Sequence, residues 1–383
     1  MAKKIVYLIP GLHFPSGMER VLTLKANYLA DEFGYDVTVI LTEEKDKPFY
    51  YPLSPKVKTI NFDLNFDRMY GLPLHRRLVY YRKRLRKFKK MLTSTLCELK
   101  PDITVSLLRR DINFLNTVPD GSVKIGEIHF NRSNYRDFNN RMLPGFVRDA
   151  VKKYWNAQLI RELKKLKKFV VLTREDEALW TELDNVTTIH NPLPFYPGPD
   201  RVSPCTAKQA IAVGRYTWQK GFDLLIEAWK RVAVRHPNWT LRIYGGGDPT
   251  IYARMVEEAG LRRTCRLEGV TDDVVGRFCE SSVFVLSSRF EGFGLVVAEA
   301  MACGVPPVAF ACPCGPKDII RDGEDGLLAK NGDVEDLAEK ICLLIERDEL
   351  RKRMGSRARE HVRRFDIDTI MQQWRQLFDE VTS

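Results

Sequence analysis

Short apolar runs alternate with amphipathic segments along the whole chain. In the first half, runs at residues 4–9, 36–41, 59–62, 102–107, 124–129 and 169–173 read as strands. Helices are predicted between them at 19–32, 76–100 and 152–168. In the second of these, Leu78, Leu85, Phe88, Leu92 and Leu96 recur at spacings that fall on one helical face. In the second half, strands are predicted at 210–213, 240–244, 265–268, 283–286 and 305–310, with helices at 221–236 and 295–303. The last fifty or so residues read as three helices, 334–347, 349–364 and 367–381. Strands separated by helices imply parallel sheets with right-handed crossovers. Between the halves, His190 to Pro199 carries four prolines, which regular structure does not tolerate. The expected architecture is α/β, two doubly wound domains facing each other across a cleft. Its parts are a first domain over 1–190, a linker at 191–200, a second domain over 201–365, and a final helix at 366–383 packing back on the first domain.

A chain of 383 residues, 44% apolar and 29% charged, has the balance of two globular domains. No stretch approaches 20 apolar residues without a charge or a breaker, so no transmembrane helix is expected. The apolar run after Lys3-Lys4 is too short for a signal peptide and meets Pro10-Gly11. Eight cysteines in so long a chain suggest free thiols in a reducing cytoplasm, Cys312-Pro-Cys314 included. Charge is more informative. Residues 1–193 hold 34 basic and 22 acidic side chains, whereas 194–383 hold 27 and 28. The whole excess of +11 therefore lies in the first half, which should face something anionic.

Two loops of the second half carry candidate chemistry. In open parallel sheets, ligands bind beyond the carboxyl ends of strands, where helix N-termini present N–H groups. The loop from Val213-Gly214 to Gly221 supplies Arg215 and Lys220, two cations suited to a diphosphate. The segment Glu291-Gly292-Phe293-Gly294-Leu295 leads into a helix bearing Glu299. Its glycines permit close backbone approach, and its carboxylates can accept hydrogen bonds from sugar and ribose hydroxyls. Glu291 could equally compensate the helix N-terminus, and Glu299 could be a buried capping carboxylate.

Together these stretches resemble the retaining GT-B glycosyltransferases of family 4. They are joined by Glu268-Gly-Val270, by Ala300 to Pro306, by Gly315-Pro-Lys-Asp-Ile-Ile320 and by Asp325-Gly-Leu-Leu328. Phe310 to Pro316 is similar to bacterial members that build capsule, O-antigen or lipid-linked glycans. The first half resembles the acceptor domain more loosely, through Gly17-Met-Glu-Arg20 and His129. The family prefers two glycines where Ser16-Gly17 stands. The resemblance implies that Arg215 and Lys220 neutralise the leaving diphosphate of a nucleotide sugar, a UDP-sugar by preference. It implies that Glu299 binds ribose, that Glu291 holds the transferred sugar, and that Gly214 and Gly292 to Leu295 bind phosphate or sugar through backbone groups. Glu268 to Val270 would flank the base, the Ser16-Gly17 loop would close on phosphate, and His129 would contact sugar or acceptor. No cofactor or metal is implied. The D-x-D at Asp366-Ile-Asp368 reads as a helix cap and first-turn acid.

The basic excess concentrates at 76–90, where Tyr80, Tyr81 and Phe88 are interleaved, and at 164–168. Such segments can be solvated faces, but they also suit an anionic membrane surface. A protein peripheral to the cytoplasmic face of a membrane, extending a lipid-linked or surface glycan, is therefore expected. No nucleic-acid module is present. The alternative is a non-catalytic membrane- or nucleic-acid-binding adaptor with a degenerate GT-B fold. A two-domain oxidoreductase would need a G-x-G-x-x-G after the first strand, which Gly11 to Gly17 does not provide.

Overall fold

The computed structural model describes residues 2–135 and 145–383. The chain divides into two compact units, Met1–Pro192 with Asp368–Ser383, and Leu193–Ile367. The division falls inside the Pro-rich stretch, and the residues after it are packed onto the second unit. Leu193 N–H donates to the Phe365 carbonyl at 2.8 Å, and the Arg359 guanidinium lies 4.1 Å from the Tyr196 ring centroid.

In the first unit the elements run β1 (Lys4–Ile9), α1 (Gly17–Asp31), β2 (Asp36–Leu41), β3 (Lys58–Asn61), α2 (Leu74–Leu99), β4 (Ile103–Ser106), β5 (Val123–Glu127), α3 (Gly145–Leu163), β6 (Lys168–Val171), α4 (Arg174–Leu179) and β7 (Val186–Thr188). The strands form one parallel sheet in the order β3-β2-β1-β4-β5-β6-β7. β1 and β2 pair along their full length, Ile5 beside Val37 and Leu8 beside Ile40. Order reverses between β1 and β4, the switch point at which such sheets open a crevice.

α2 packs Phe88, Leu92 and Leu96 into a core shared with Val6, Ile40 and Phe66. Leu78, expected on that buried stripe, is 53% exposed. The core ends near Tyr81, and the first turns of α2 extend beyond it. The predicted helix over 152–168 ends at Leu163 instead. Asn185 Nδ2 donates to the carbonyls of Leu163 and Leu166 at 2.9 and 2.7 Å, satisfying the last acceptor of the helix and one in the turn beyond it. The lysines of 164–168 therefore sit on a turn and the start of β6, not on a helix.

The second unit runs β8 (Gln209–Val213), α5 (Phe222–Arg235), β9 (Thr240–Tyr244), α6 (Thr250–Glu258), β10 (Cys265–Glu268), α7 (Val274–Cys279), β11 (Val283–Leu286), α8 (Leu295–Ala302), β12 (Pro307–Phe310), α9 (Pro316–Ile319), β13 (Leu327–Ala329), α10 (Val334–Glu346) and α11 (Asp348–His361). Its sheet is parallel throughout, in the order β10-β9-β8-β11-β12-β13. The switch point lies between β8 and β11. Trp229, Ile243, Val285, Phe310 and Ile341 fill the core beneath it.

The last helix, α12 (Ile367–Thr382), belongs to the first unit from Asp368 onward. Trp374 and Phe378 are buried, Asp368 accepts from the Tyr28 hydroxyl at 2.6 Å, and Lys3 pairs with Asp379 at 3.1 Å. Among the described residues, no helix is long and apolar enough to cross a membrane.

Candidate active site

Because β8 and β11 flank the switch point, the loops that follow them are neighbours despite their separation in sequence. Gly221 takes φ +63° at the base of α5, and a Cβ there would lie 2.1 Å from the Ser287 carbonyl oxygen. Only glycine fits so close to the second loop. Ser287 Oγ donates to the Lys220 carbonyl at 2.9 Å, and Gln219 Nε2 donates to the Phe290 carbonyl at 3.1 Å. The loop after β12 joins them. Glu291 N–H donates to the Pro313 carbonyl at 3.1 Å, and Gly315, at φ +122°, passes against the Phe293 carbonyl.

These loops bring Lys220 and Glu291 together. Lys220 Nζ lies 2.7 Å from Glu291 Oε1, and Ser288 Oγ donates to the same oxygen at 2.6 Å. Glu291 is buried, and the lysine stem lies along Gly214. Arg215 is exposed and has no ion pair among the described residues. Glu299 is buried one helical stretch further along α8. Gly294 caps α8 at φ +86°, so Leu295 opens the helix beside Glu291. The Phe293 side chain points away, edge-on to Phe365 at 5.4 Å, which leaves its backbone as the part that can meet a ligand. Glu268 is half-buried, 3.8 Å from Arg242, and its carbonyl accepts from the Tyr216 hydroxyl at 2.8 Å. Val270 is exposed, and Gly246 lies beside it.

Arg289, not singled out in the sequence, braces this region. Its guanidinium binds both oxygens of Asp223 at 2.8 and 2.6 Å, donates to the Trp218 carbonyl at 2.7 Å and stacks on the Trp218 ring. Burial pushes the Asp223 carboxyl up, but Arg289 outweighs it and holds the group below its ordinary range. An arginine fork fits both oxygens of one carboxylate, but its partner Asp223 lies 66 positions away, so local pattern gave no signal.

In the first unit, Ser16 caps α1, accepting from Glu19 N–H at 3.4 Å, while Glu19 Oε2 accepts from Phe14 N–H at 2.6 Å. A side chain at Gly17 would meet nothing within 4 Å, so packing does not require glycine there. Burial raises the Glu19 carboxyl to about 7, against the Phe14 hydrogen bond and Arg109. His129, just past β5, has its Nε2 3.1 Å from Glu127 Oε1. Glu127 Oε2 receives Lys25 Nζ at 2.6 Å. Neither Glu127 nor Lys25 stood out in the sequence. The clues were a Glu-x-His at a strand end, which places both on one face, and a lysine inside the apolar stripe of α1.

The D-x-D carboxylates are occupied, Asp366 by Arg363 and Asp368 by Tyr28. His236, Cys342 and Glu346 cluster where α5 meets α10, but Arg235 donates to Glu346 at 2.7 Å and burial raises the Cys342 thiol to about 11. All eight cysteines are free thiols.

Two parallel doubly wound units, with a paired lysine and glutamate at the second unit's switch point, have the architecture of a GT-B fold, with the crevice at which such sheets bind ligands. Residues 200–361 match the model of the family described as glycosyl transferases group 1. An uncharacterized glycosyltransferase of Haemophilus influenzae is 28% identical over 97% of this chain and 99% of its own length. A Staphylococcus aureus poly(ribitol-phosphate) alpha-N-acetylglucosaminyltransferase is 30% identical over 69% of this chain, which spans about half (52%) of that protein. A variant of S. aureus TarM, solved with fondaparinux, alpha-GlcNAc-glycerol and UDP, superposes with a TM-score of 0.78 at 18% identity. The match covers 98% of this chain and all of that one. The second unit carries the match to the group 1 glycosyltransferases, and the chain as a whole has the GT-B fold.

Proposed function

We propose that this glycosyltransferase moves a sugar from a UDP-sugar to a glycan or lipid-linked glycan acceptor, with retention at the anomeric carbon, in cell-surface polysaccharide synthesis. The observation that carries it is the Lys220–Glu291 pair at the second unit's switch point. The UDP in the TarM complex and the poly(ribitol-phosphate) acceptor of the staphylococcal relative support this donor and a polymeric acceptor.

In the free protein the carboxylate neutralises the lysine. An arriving diphosphate draws Lys220 away and, with Arg215, receives its charge there. Glu291, released, accepts from hydroxyls of the transferred sugar, and Glu299 accepts from the ribose. Backbone groups of Gly214 and of Gly292 to Leu295 hold phosphate or sugar, and Glu268 and Val270 flank the base. In the transfer, the bond from the anomeric carbon to the diphosphate oxygen breaks as the bond to the acceptor oxygen forms on the same face. The acceptor proton passes to the departing diphosphate. Charge develops on that diphosphate in an oxocarbenium-like transition state, which is where fixed cations lower the barrier. No step calls on a metal ion or organic cofactor. The first unit takes the acceptor, with His129 in contact with it, while Ser16 and Gly17 offer the N-terminal N–H groups of α1 to phosphate.

The protein works at the cytoplasmic face of a membrane. Lys83, Arg86, Lys87 and Lys90 line one groove of α2 with Tyr80 and Arg84. No basic residue of 76–90 has an ion pair among the described residues. The 164–168 cluster is partly neutralised, Lys165 by Glu162 and Lys168 by Glu380, each at 2.9 Å. The exposed face of α2 therefore carries the attraction to anionic lipid.

Thermal-shift titration with UDP, GDP, ADP and their sugars tests the donor. Stabilisation by UDP and a UDP-sugar is expected, followed by transfer of labelled sugar to a lipid-linked acceptor. Stabilisation by nicotinamide cofactors alone, or no nucleotide binding, overturns the proposal.

A further inference from the structure

The first unit buries a chain of charge that the donor chemistry does not use. Glu127, at the end of β5, is 2% exposed, and its two oxygens are divided between two partners. Oε2 takes Lys25 of α1 at 2.6 Å, and Oε1 takes His129 Nε2 at 3.1 Å. Lys25 is 1% exposed and the His129 side chain 5%. The other groups around this carboxylate are the Tyr7 phenol of β1, whose hydroxyl is buried without a partner, and the uncharged Trp374 ring, 3.6 Å from Lys25 Nζ. A carboxylate and an ammonium this deeply buried persist only as a satisfied pair. Burial pushes the Glu127 carboxyl up, yet Lys25 and His129 together hold it down at about 2.

An ionised carboxylate accepts and cannot donate. The ring nitrogen against it must therefore carry the hydrogen, so the proton of a neutral His129 sits on Nε2. We propose that Glu127 is a positioning residue for His129: it fixes the ring orientation and the Nε2–H tautomer, leaving Nδ1 as the hydrogen-bond acceptor. Lys25 sets the strength of that hold by taking half of the carboxylate's charge. The proposal rests on the acceptor-contacting role given to His129 above, and it assigns the atom that role would use. A hydroxyl of the acceptor would donate to Nδ1.

The two partners of Glu127 give signed expectations. Glu127→Gln removes the negative charge, which disfavours the imidazolium. Lys25→Met leaves the carboxylate to His129 alone, which favours it. Histidine-labelled full-length protein, read by nitrogen chemical shifts, reports tautomer and titration directly, with His129 assigned by its loss in His129→Gln. The wild type should show the Nε2–H form. Its midpoint should fall by about one to two pH units in Glu127→Gln and rise by about one in Lys25→Met. The pH limb of kcat/KM should move the same way in each variant, with the donor KM unchanged. If Glu127→Gln does not fold, the charge-balanced Lys25→Met, Glu127→Gln double variant takes its place, and its midpoint should fall. An unchanged tautomer and midpoint in whichever of these two folds overturns the proposal, and so does a shift of the same sign in Glu127→Gln and Lys25→Met. Normal transfer by His129→Gln instead removes the role given to His129, while the spectra still decide what Glu127 does.

Discussion

Lys220 and Glu291 stand 71 positions apart and form one hydrogen-bonded ion pair, Nζ to Oε1 at 2.7 Å, with Ser288 on the same oxygen. In the absence of donor, the cation proposed for the diphosphate is neutralised by the carboxylate proposed for the sugar. The two functions therefore compete until the donor arrives. Glu291→Gln keeps the Ser288 hydrogen bond but releases the lysine, so UDP affinity should rise about threefold to tenfold while transfer falls by about 10²–10³. Calorimetric titration with UDP, set beside a transfer assay, reads both. A UDP affinity that drops tenfold or more would contradict the competition.

Arg289 and Asp223 brace the same loops from the other side. Arg289→Lys keeps the charge but loses the two-pronged contact and the stacking on Trp218. The expected cost is about 1–2 kcal/mol of stability in the second unit, with a higher KM for donor. Urea unfolding and initial-rate kinetics check it. Unchanged donor KM would mean that the brace serves the fold alone.

Much of this arrangement was legible in the sequence. The strands at Asp36–Leu41, Thr240–Tyr244, Cys265–Glu268 and Val283–Leu286 were bounded to the residue, because apolar runs ending in turn residues leave little choice of limits. β7 and β13 were not read, since edge strands of three residues carry almost no pattern. Lys220 and Glu291 were each recognisable, but their contact follows from β8 lying beside β11, which local pattern does not encode. Lys25 and Glu127 did not stand out for a related reason, faint local clues aside. A buried charge looks like a surface one until its partner, 102 residues away, is in place.

Glu19 gives a pH dependence of definite sign. Its carboxyl is raised in the folded chain to about 7, burial opposing the Phe14 hydrogen bond and Arg109. A carboxyl whose folded value lies above its unfolded one binds its proton more tightly when folded. Its contribution to stability is thus complete below about 4.5 and is lost progressively as pH rises to about 7. Glu19→Gln keeps a group able to accept from Phe14 N–H but cannot ionise. The stability of Glu19→Gln relative to wild type should rise by about 2–3 kcal/mol between pH 4.5 and pH 7.5 and level off above. Denaturant melts of the full chain at five pH values measure this. A flat difference would show that Glu19 is not the titrating group.

Membrane binding should depend on α2 and not on the turn at 164–168. Lys83, Lys87 and Lys90 are exposed, whereas Lys165 and Lys168 are already paired. Reversing Lys83, Lys87 and Lys90 to Glu should weaken binding to vesicles rich in phosphatidylglycerol by about 10²-fold or more. Reversing Lys165 and Lys168 should cost under threefold, and high salt should release the wild type. Sedimentation with vesicles of graded anionic content compares the three proteins. Equal loss in both variants would assign the binding to net charge and not to a face of one helix.

The final helix is tied to the buried charge through Trp374. Its ring lies 3.6 Å from Lys25 Nζ and is 1% exposed. Two effects are combined there, the volume of the indole and the attraction of its face for the ammonium. Trp374→Leu removes the aromatic face and leaves part of the volume, whereas Trp374→Phe retains a face and leaves a smaller void. If volume alone matters, both should cost about 2–4 kcal/mol. Because Lys25 is held by Glu127 on one side and by Trp374 on the other, the leucine variant should cost about 1–2 kcal/mol more than the phenylalanine variant. That excess should vanish when Lys25 is Met. A double-mutant cycle read by chemical denaturation isolates the pairwise part from the cavity. A coupling energy near zero between positions 25 and 374 would reduce α12 to a hydrophobic cover. A coupling above about 1 kcal/mol would make it part of the electrostatic support of His129.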